Sequence, residues 1–219
     1  MDADLSSLVK GYAHARGLIG SRIAAAPYGV FVAYPPGAKQ VAEHFAVKGR
    51  PTPEPLARDV WLTVFDPDRG PAEPPPLGQV LVSSEYFMAV PLPRPEAALS
   101  YPVEELTTAR ALAELEADST YARAPAADGV FHFVVRQAGR IAAAAHYAFG
   151  EGGDIVVDRV ATHPDFRRRG LGQAVMSGLL AHAHGQGANR ALLLSTQAGE
   201  KLYTAMGFQT LATVAVYAV

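Results

Sequence analysis

Arg167-Arg168-Arg169-Gly170-Leu171-Gly172-Gln173-Ala174 is the stretch on which the reading of the fold turns. An apolar, strand-like segment from Ile155 to Thr162 and a turn at His163-Pro164 precede it, and a helical pattern follows. A strand that passes through a glycine-bearing turn into a helix leaves backbone N–H groups at the helix start without intrachain partners. Those donors, with the positive end of the helix dipole, favour an anion of the phosphate type. Three arginines add cationic charge beside it, and two glycines let a bulky ligand approach the backbone closely. The stretch reads as a cradle for a pyrophosphate.

Around this turn the chain is regular from residue 99 onward. Ser100 is placed to cap a helix with Pro102 in its first turn, and Leu106, Ala109, Leu112, Ala113 and Leu115 keep helical spacing to about Ala117. Val130 to Arg136 and Arg140 to Phe149 read as strands joined by a turn at Ala138-Gly139, hence a hairpin. Glu151-Gly152-Gly153-Asp154 turns the chain into the third strand, Ile155 to Thr162. After Gly170, the residues Leu171, Ala174, Val175, Gly178, Leu179 and Ala183 form an apolar helical stripe that Gly185 and Gly187 end. Ala191 to Ser195 is a continuous apolar run, as a doubly covered central strand requires. Gln197 to Met206 reads as a helix closed by Gly207, and Gln209 to Val219 as a last strand. A three-strand meander followed by a strand–helix–strand crossover defines an α/β fold with a mixed sheet and helices on its faces.

Residues 1–98 read differently. Proline clusters at 51–55, 67–76 and 91–95 punctuate short apolar runs that suit strands, Gly29 to Tyr34, Val60 to Phe65 and Gln79 to Val90. Leu5 to Arg16 and Ala38 to Val47 are expected to be short helices, and 66–78 a surface loop whose five prolines leave it few ladder donors. The change of character divides the chain into a β-rich part, 1–98, and a regular part, 99–219. Tyr28, Phe31, Tyr34, Trp61, Tyr86 and Phe87 either line a cleft or form the core, the default for strand aromatics.

Composition narrows the function. The 219 residues, 49% hydrophobic and 18% charged, suit an ordinary globular protein. The net charge of -2 is evenly spread: residues 1–100 carry 9 basic and 10 acidic side chains, residues 101–219 carry 10 and 11, so each part sums to -1. That balance argues against nucleic acid or an anionic membrane as the main partner. The absence of cysteine excludes disulfides, thiolate metal sites and a cysteine nucleophile, and fits a cytoplasmic setting. The N-terminus lacks the apolar core of a signal peptide, and no run approaches the roughly 20 apolar residues of a membrane span. His182 and His184 lie two apart on a helix and point to different faces, so no metal site is expected.

Arg167-x-x-Gly170-x-Gly172, between an apolar strand and a helix, resembles the acyl-coenzyme A motif of the GNAT superfamily of N-acetyltransferases. Val160 to Arg167 matches that family's strand-end, proline and aromatic positions. Leu202-Tyr203-Thr204-Ala205-Met206-Gly207-Phe208 is similar to its Tyr-x-x-x-Gly-Phe element. The two motifs stand in order with a helix and a strand between them, and the resemblance covers about residues 100–219. A dinucleotide-binding turn fits less well, because Val175 occupies the third glycine site, and no Gly-Lys-Ser/Thr loop is present.

The resemblance implies a GNAT-like acyl-CoA N-acyltransferase fold with a degenerate, β-rich N-terminal part that walls the substrate cleft. It implies transfer of an acetyl group from acetyl-CoA to a primary amine of a small molecule or peptide. The amine attacks directly in a ternary complex, with no covalent enzyme intermediate. Backbone N–H groups of Arg168, Arg169, Gly170, Leu171, Gly172, Gln173 and Ala174 would hold the pyrophosphate of coenzyme A. Arg167, Arg168 and Arg169 would screen phosphate charge. The pantetheine arm would lie between Val160, Ala161 and Thr162 and the strand Ala191 to Ser195, where strands that splay expose unpaired N–H and C=O groups. Tyr203 would donate to the departing thiolate; its bland reading is a packed helix aromatic. Thr196 stands where many relatives have asparagine, and it can also cap the helix.

The general base is open. In the family the chain resembles, a carboxylate often stands on the third strand, and the position that most often carries it is here Val156. Asp158 shares its strand face by period-two alternation and is the first substitute, the plainer reading being a partner for Arg159 or another arginine. His146, on the preceding strand, is the second. A water chain would serve without either. A different class of function, a non-catalytic acyl-CoA-binding sensor or interaction module, is the alternative. The apolar end Leu211 to Val219 either completes the sheet or pairs across a homodimer.

Overall fold

The computed structural model describes residues 1–51, 57–75, 78–93, 101–121 and 127–219. In chain order the elements are α1 (Asp2–Ala15), β1 (Arg22–Ala26), β2 (Gly29–Ala33), β3 (Ala42–Val47), β4 (Val60–Asp66), β5 (Val80–Pro91), β6 (Glu104–Glu105) and α2 (Ala109–Ala117). They continue as β7 (Val130–Gln137), β8 (Arg140–Phe149), β9 (Asp154–Thr162), α3 (Leu171–Gly185), β10 (Arg190–Thr196), α4 (Gln197–Ala205) and β11 (Gln209–Ala218). Among the described residues, all strands join one sheet in the order β1-β2-β3-β4-β11-β5-β10-β9-β8-β7-β6.

The meander is present: β7, β8 and β9 pair antiparallel with their neighbours. The crossover through α3 makes β10 parallel to β9, as a strand–helix–strand connection requires. The α3 stripe, with Leu171, Val175 and Leu179, packs on one face against Tyr147, Ile155, Val157 and Leu193. On the other face Leu5, Leu8 and Val9 of α1 meet Phe87, Val156, Leu192 and Val214. Each such leucine or valine contributes about 1.5–3 kcal/mol by leaving water. A Cβ on Gly11 of α1 would lie 2.3 Å from Val156 Cγ2, so glycine is what lets α1 lie this close to β9.

Two expectations are corrected, and one strand is added. Ala38 to Val47 is not a helix: residues 42–47 form β3, paired with β2 and, in parallel, with β4. Buried neighbours on both sides override a sequence of indifferent propensity. The helix expected from Ser100 begins at Ala109, where Thr108 accepts a hydrogen bond from the Ala111 amide at 3.2 Å. Glu104 and Glu105 pair with Val134 and Phe133 instead, and Ser100 lies outside the described residues. The edge strand β1 was not foreseen; its Arg-Ile-Ala-Ala-Ala sequence has little strand character, and the turn into β2 supplies its partner.

Residue 98, where the sequence changes character, also lies outside the described residues. The sheet runs through both parts, because β5 lies between β10 and β11. β11 is paired on both sides, with β4 and β5, and so completes the sheet. No described helix is long and apolar enough to cross a membrane.

Candidate active site

The site begins where β9 and β10 part. Their pairing ends at Val157 and Leu193, although β9 continues to Thr162 and β10 to Thr196. The cause is a bulge. Register between β8 and β9 slips between the Ala144 and His146 pairs, and Arg159 sits there with φ +54°. An extra residue in a left-handed conformation bends its strand and re-aims its side chains. Beyond it, Asp158 to Thr162 and Leu194 to Thr196 face a gap with ladder groups that the opposite strand does not pair.

At the mouth of the gap stands the start of α3. Gly170, with φ +78°, is its N-cap; no side chain caps the helix and its first turn holds no acidic residue. The first intrahelical bond runs from the Ala174 amide to the Gly170 carbonyl at 2.9 Å, which leaves the amides of Leu171, Gly172 and Gln173 as the helix's orphan donors. Arg168, with φ +60°, helps fold the loop back on itself. Arg167 Nε donates to the Thr162 carbonyl at 3.3 Å and Arg169 to the Asp165 carbonyl at 3.3 Å. These two arginines therefore fasten the turn, and all three are exposed. A Cβ on Gly172 would meet Thr162 Oγ1 at 3.3 Å and Leu202 Cδ2 at 3.4 Å, so the turn, the strand end and α4 converge there.

Tyr203 projects from α4 and is 7% exposed, with its ring edge-on to Phe208 at 5.6 Å. Burial, and then the charge of Asp158, push its phenol above the ordinary tyrosine range, so the hydroxyl keeps its proton. Thr196 caps α4, accepting from the Gly199 amide at 3.3 Å. Val156 is fully buried beneath α1 and holds no chemistry.

Asp158 and His146 meet below the bulge. Arg16 grips the Asp158 carboxylate through Nε at 2.9 Å and Nη2 at 3.2 Å, and Arg159 Nε stands 3.5 Å away. Burial alone raises the pKa of this carboxyl, but Arg16, with His146 and Arg159, outweighs it and holds the group below the usual range. His146 is 3% exposed, and burial drives its pKa down to about 4 against the pull of Asp158. Its Nε2 lies 3.9 Å from Asp158 Oδ2.

The N-terminal aromatics divide. Phe87 is fully buried core, while the Tyr34 hydroxyl donates to the buried Glu43 carboxylate at 2.8 Å, which Thr63 also contacts. Arg16 is the site residue that sequence reasoning missed. It is 142 positions from Asp158, and no local pattern announces such a pair. Arg16 also stacks on Tyr12, 3.7 Å from the ring centroid. A separate groove of about 720 Å³ lies between the 66–74 loop and the start of α4, and none of its lining residues comes from β9 or α3. No group of three or more metal-binding side chains occurs among the described residues.

A parted pair of parallel strands, an uncapped helix start at their mouth and a buried phenol on α4 make up the candidate site. The model of the Acetyltransferase (GNAT) family matches residues 96–208, more than half of the chain. The chain belongs to the GNAT family of acetyltransferases, and membership implies acyl transfer from acetyl-CoA. A GCN5-related N-acetyltransferase from Kribbella flavida aligns over 100% of this chain and 95% of its own, with a TM-score of 0.67 at 18% identity. A GCN5-related N-acetyltransferase-like protein from Streptococcus suis aligns over 90% of this chain and 88% of its own, with a TM-score of 0.55 at 11% identity. At these identities the likeness is one of fold. None of the curated protein sequences matches this chain.

Proposed function

We propose that this protein transfers the acetyl group of acetyl-CoA to a primary amine by direct attack in a ternary complex. The observation that carries the reading is the uncapped start of α3 at the mouth of the β9–β10 gap. Amides from Arg168 to Gln173 bind the pyrophosphate, the Ala174 amide being taken by the Gly170 carbonyl, and Arg167, Arg168 and Arg169 add positive charge around it. Val160, Ala161 and Thr162 on one side, and the end of β10 to Thr196 on the other, offer main-chain partners to the amide-bearing arm. When bound, acetyl-CoA supplies an activated acyl thioester. Backbone N–H groups of the gap polarise its carbonyl, and Tyr203, held protonated by burial, donates to the sulfur as it leaves. Asp158 and His146 are the candidate proton acceptors.

The test is calorimetric titration of the whole chain with acetyl-CoA, followed by thiol release with a panel of primary amines. Binding together with amine-dependent thiol release is the expected result. Binding without turnover on any amine would favour a cofactor sensor, and no binding would end the reading.

A further inference from the structure

β5 is longer than the strand beside it. β10 pairs with Glu85 to Pro91 and stops at Thr196, which lies opposite Glu85. β5 begins at Val80, so Val80 to Ser84 run on past the end of β10 with β11 on one side only. On the open side their amides and carbonyls meet no strand and no loop backbone among the described residues. Edges of this kind are ordinarily blunted by charged side chains or proline. From Gln79 to Ser84 there is neither, and Val80, Leu81 and Val82 are 62%, 44% and 48% exposed. The register with β11 slips between Leu81 and Ser83, so Val82 is a bulge that twists this end of the strand.

We infer that this edge is the docking strip for an extended polypeptide acceptor, which pairs with Val80 to Ser84 as an added antiparallel strand and places its amino terminus beside Thr196. The inference rests on the transferase reading above and narrows its acceptor to the α-amine of a peptide. The free edge starts at the end of β10, the strand whose other side borders the gap, so a chain prolonging the line of β10 begins about 5 Å, one strand spacing, from that gap. The slot is open: Thr196, Gln197 and Ala198, where the chain turns away into α4, are all exposed. Because β10 runs antiparallel to β5, a peptide with its amino terminus at Thr196 pairs antiparallel as well. At that head stands Glu85, half-buried, accepting from Ser83 Oγ at 3.1 Å and holding no cation among the described residues. Its charge suits the ammonium of an arriving chain. A second copy of this protein fits less well. The edge offers five residues, against the roughly 20–30 a side of a stable interface, and a bulge works against pairing between two folded sheets, whereas a peptide follows the twist. Main-chain bonds supply the affinity, and apolar side chains at alternate positions add to it against the exposed valines and leucine. In the transfer, the C–N bond forms as the C–S bond breaks; the neutral amine gives up one proton, finally to solvent, the sulfur takes the Tyr203 proton, and solvent restores the phenol.

Thiol release from acetyl-CoA by the full chain is measured with three acceptors: the peptide Ala-Val-Ser-Val-Thr-Val-amide, the same peptide with every internal amide N-methylated, and alaninamide. The expected kcat/KM for the peptide exceeds that for alaninamide by about tenfold or more, and N-methylation, which removes the strand donors, abolishes the advantage. Exchange of the amide hydrogens of residues 80–84 should slow with the peptide and not with its N-methylated form. The double substitution Val80→Lys with Val82→Lys should lower the ratio of peptide to alaninamide kcat/KM about tenfold. Equal kcat/KM for all three acceptors would contradict the docking strip and leave the transferase reading standing. Sedimentation of the wild type as a dimer that the double substitution dissolves would give the edge to a second copy and overturn the inference. No thiol release with any of the three would bring down the transferase reading, and this inference with it.

Discussion

Tyr203 and Asp158 show how residues of ordinary pKa are tuned by their surroundings in opposite directions. The phenol is held neutral by burial, and the carboxylate is held charged by two guanidinium groups despite burial. Tyr203→Phe removes one hydroxyl from a packed ring, so kcat should fall about 100-fold with acetyl-CoA affinity unchanged; steady-state kinetics beside calorimetry checks both. Arg16→Leu leaves Asp158 buried without its main partner and should cost about 3–5 kcal/mol of stability by urea unfolding. His146 gives a pH signature. Its imidazole stays neutral in the fold down to about pH 4, whereas its unperturbed value is 6.5. Between these values the unfolded chain binds the extra proton. Stability is therefore full above the unfolded value and is lost as pH falls toward the folded one, by about 3 kcal/mol at the limit. Urea midpoints from pH 7.5 to 4.5 should slope less in His146→Gln than in the wild type.

At the scale of elements, the site depends on two glycines for different reasons. Gly170 adopts φ +78°, which an L side chain tolerates poorly, so Gly170→Ala should cost about 1–2 kcal/mol and weaken acetyl-CoA binding by tilting the start of α3. Gly11 has no such conformation; its absent Cβ is what Val156 requires. Gly11→Val should destabilise by about 1–3 kcal/mol through overpacking and should shift Arg16 off Asp158, which thermal unfolding and the His146 ring resonances both report. The turn at 167–170 and the α3 stripe were legible because their signals are local: positive-φ glycine, helical spacing, a strand just before. β3 was not. Ala42 to Val47 becomes a strand only because β2 and β4 stand on either side, and neither neighbour is visible in a short window. The bulge at Arg159 was equally hidden, since no glycine marks its left-handed residue.

The whole molecule is tied together by long-range pairing that the sequence does not display. β5 separates β10 from β11, and α1 delivers Arg16 to a carboxylate 142 residues away. Both catalytic-family motifs could be found without the first 98 residues, but β10 and β11 lose their shared partner when that part is removed. A fragment of residues 99–219 should therefore fail to fold cooperatively, judged by circular dichroism and by the absence of a sharp melting transition; a fragment that melts sharply would show the two parts to be independent. The most direct test of the central claim is a crystal structure of the chain with bound coenzyme A. The account predicts the pyrophosphate on the amides of residues 168–173 and the sulfur within about 4 Å of the Tyr203 hydroxyl. A pyrophosphate held elsewhere, or a sulfur out of reach of that phenol, would contradict it.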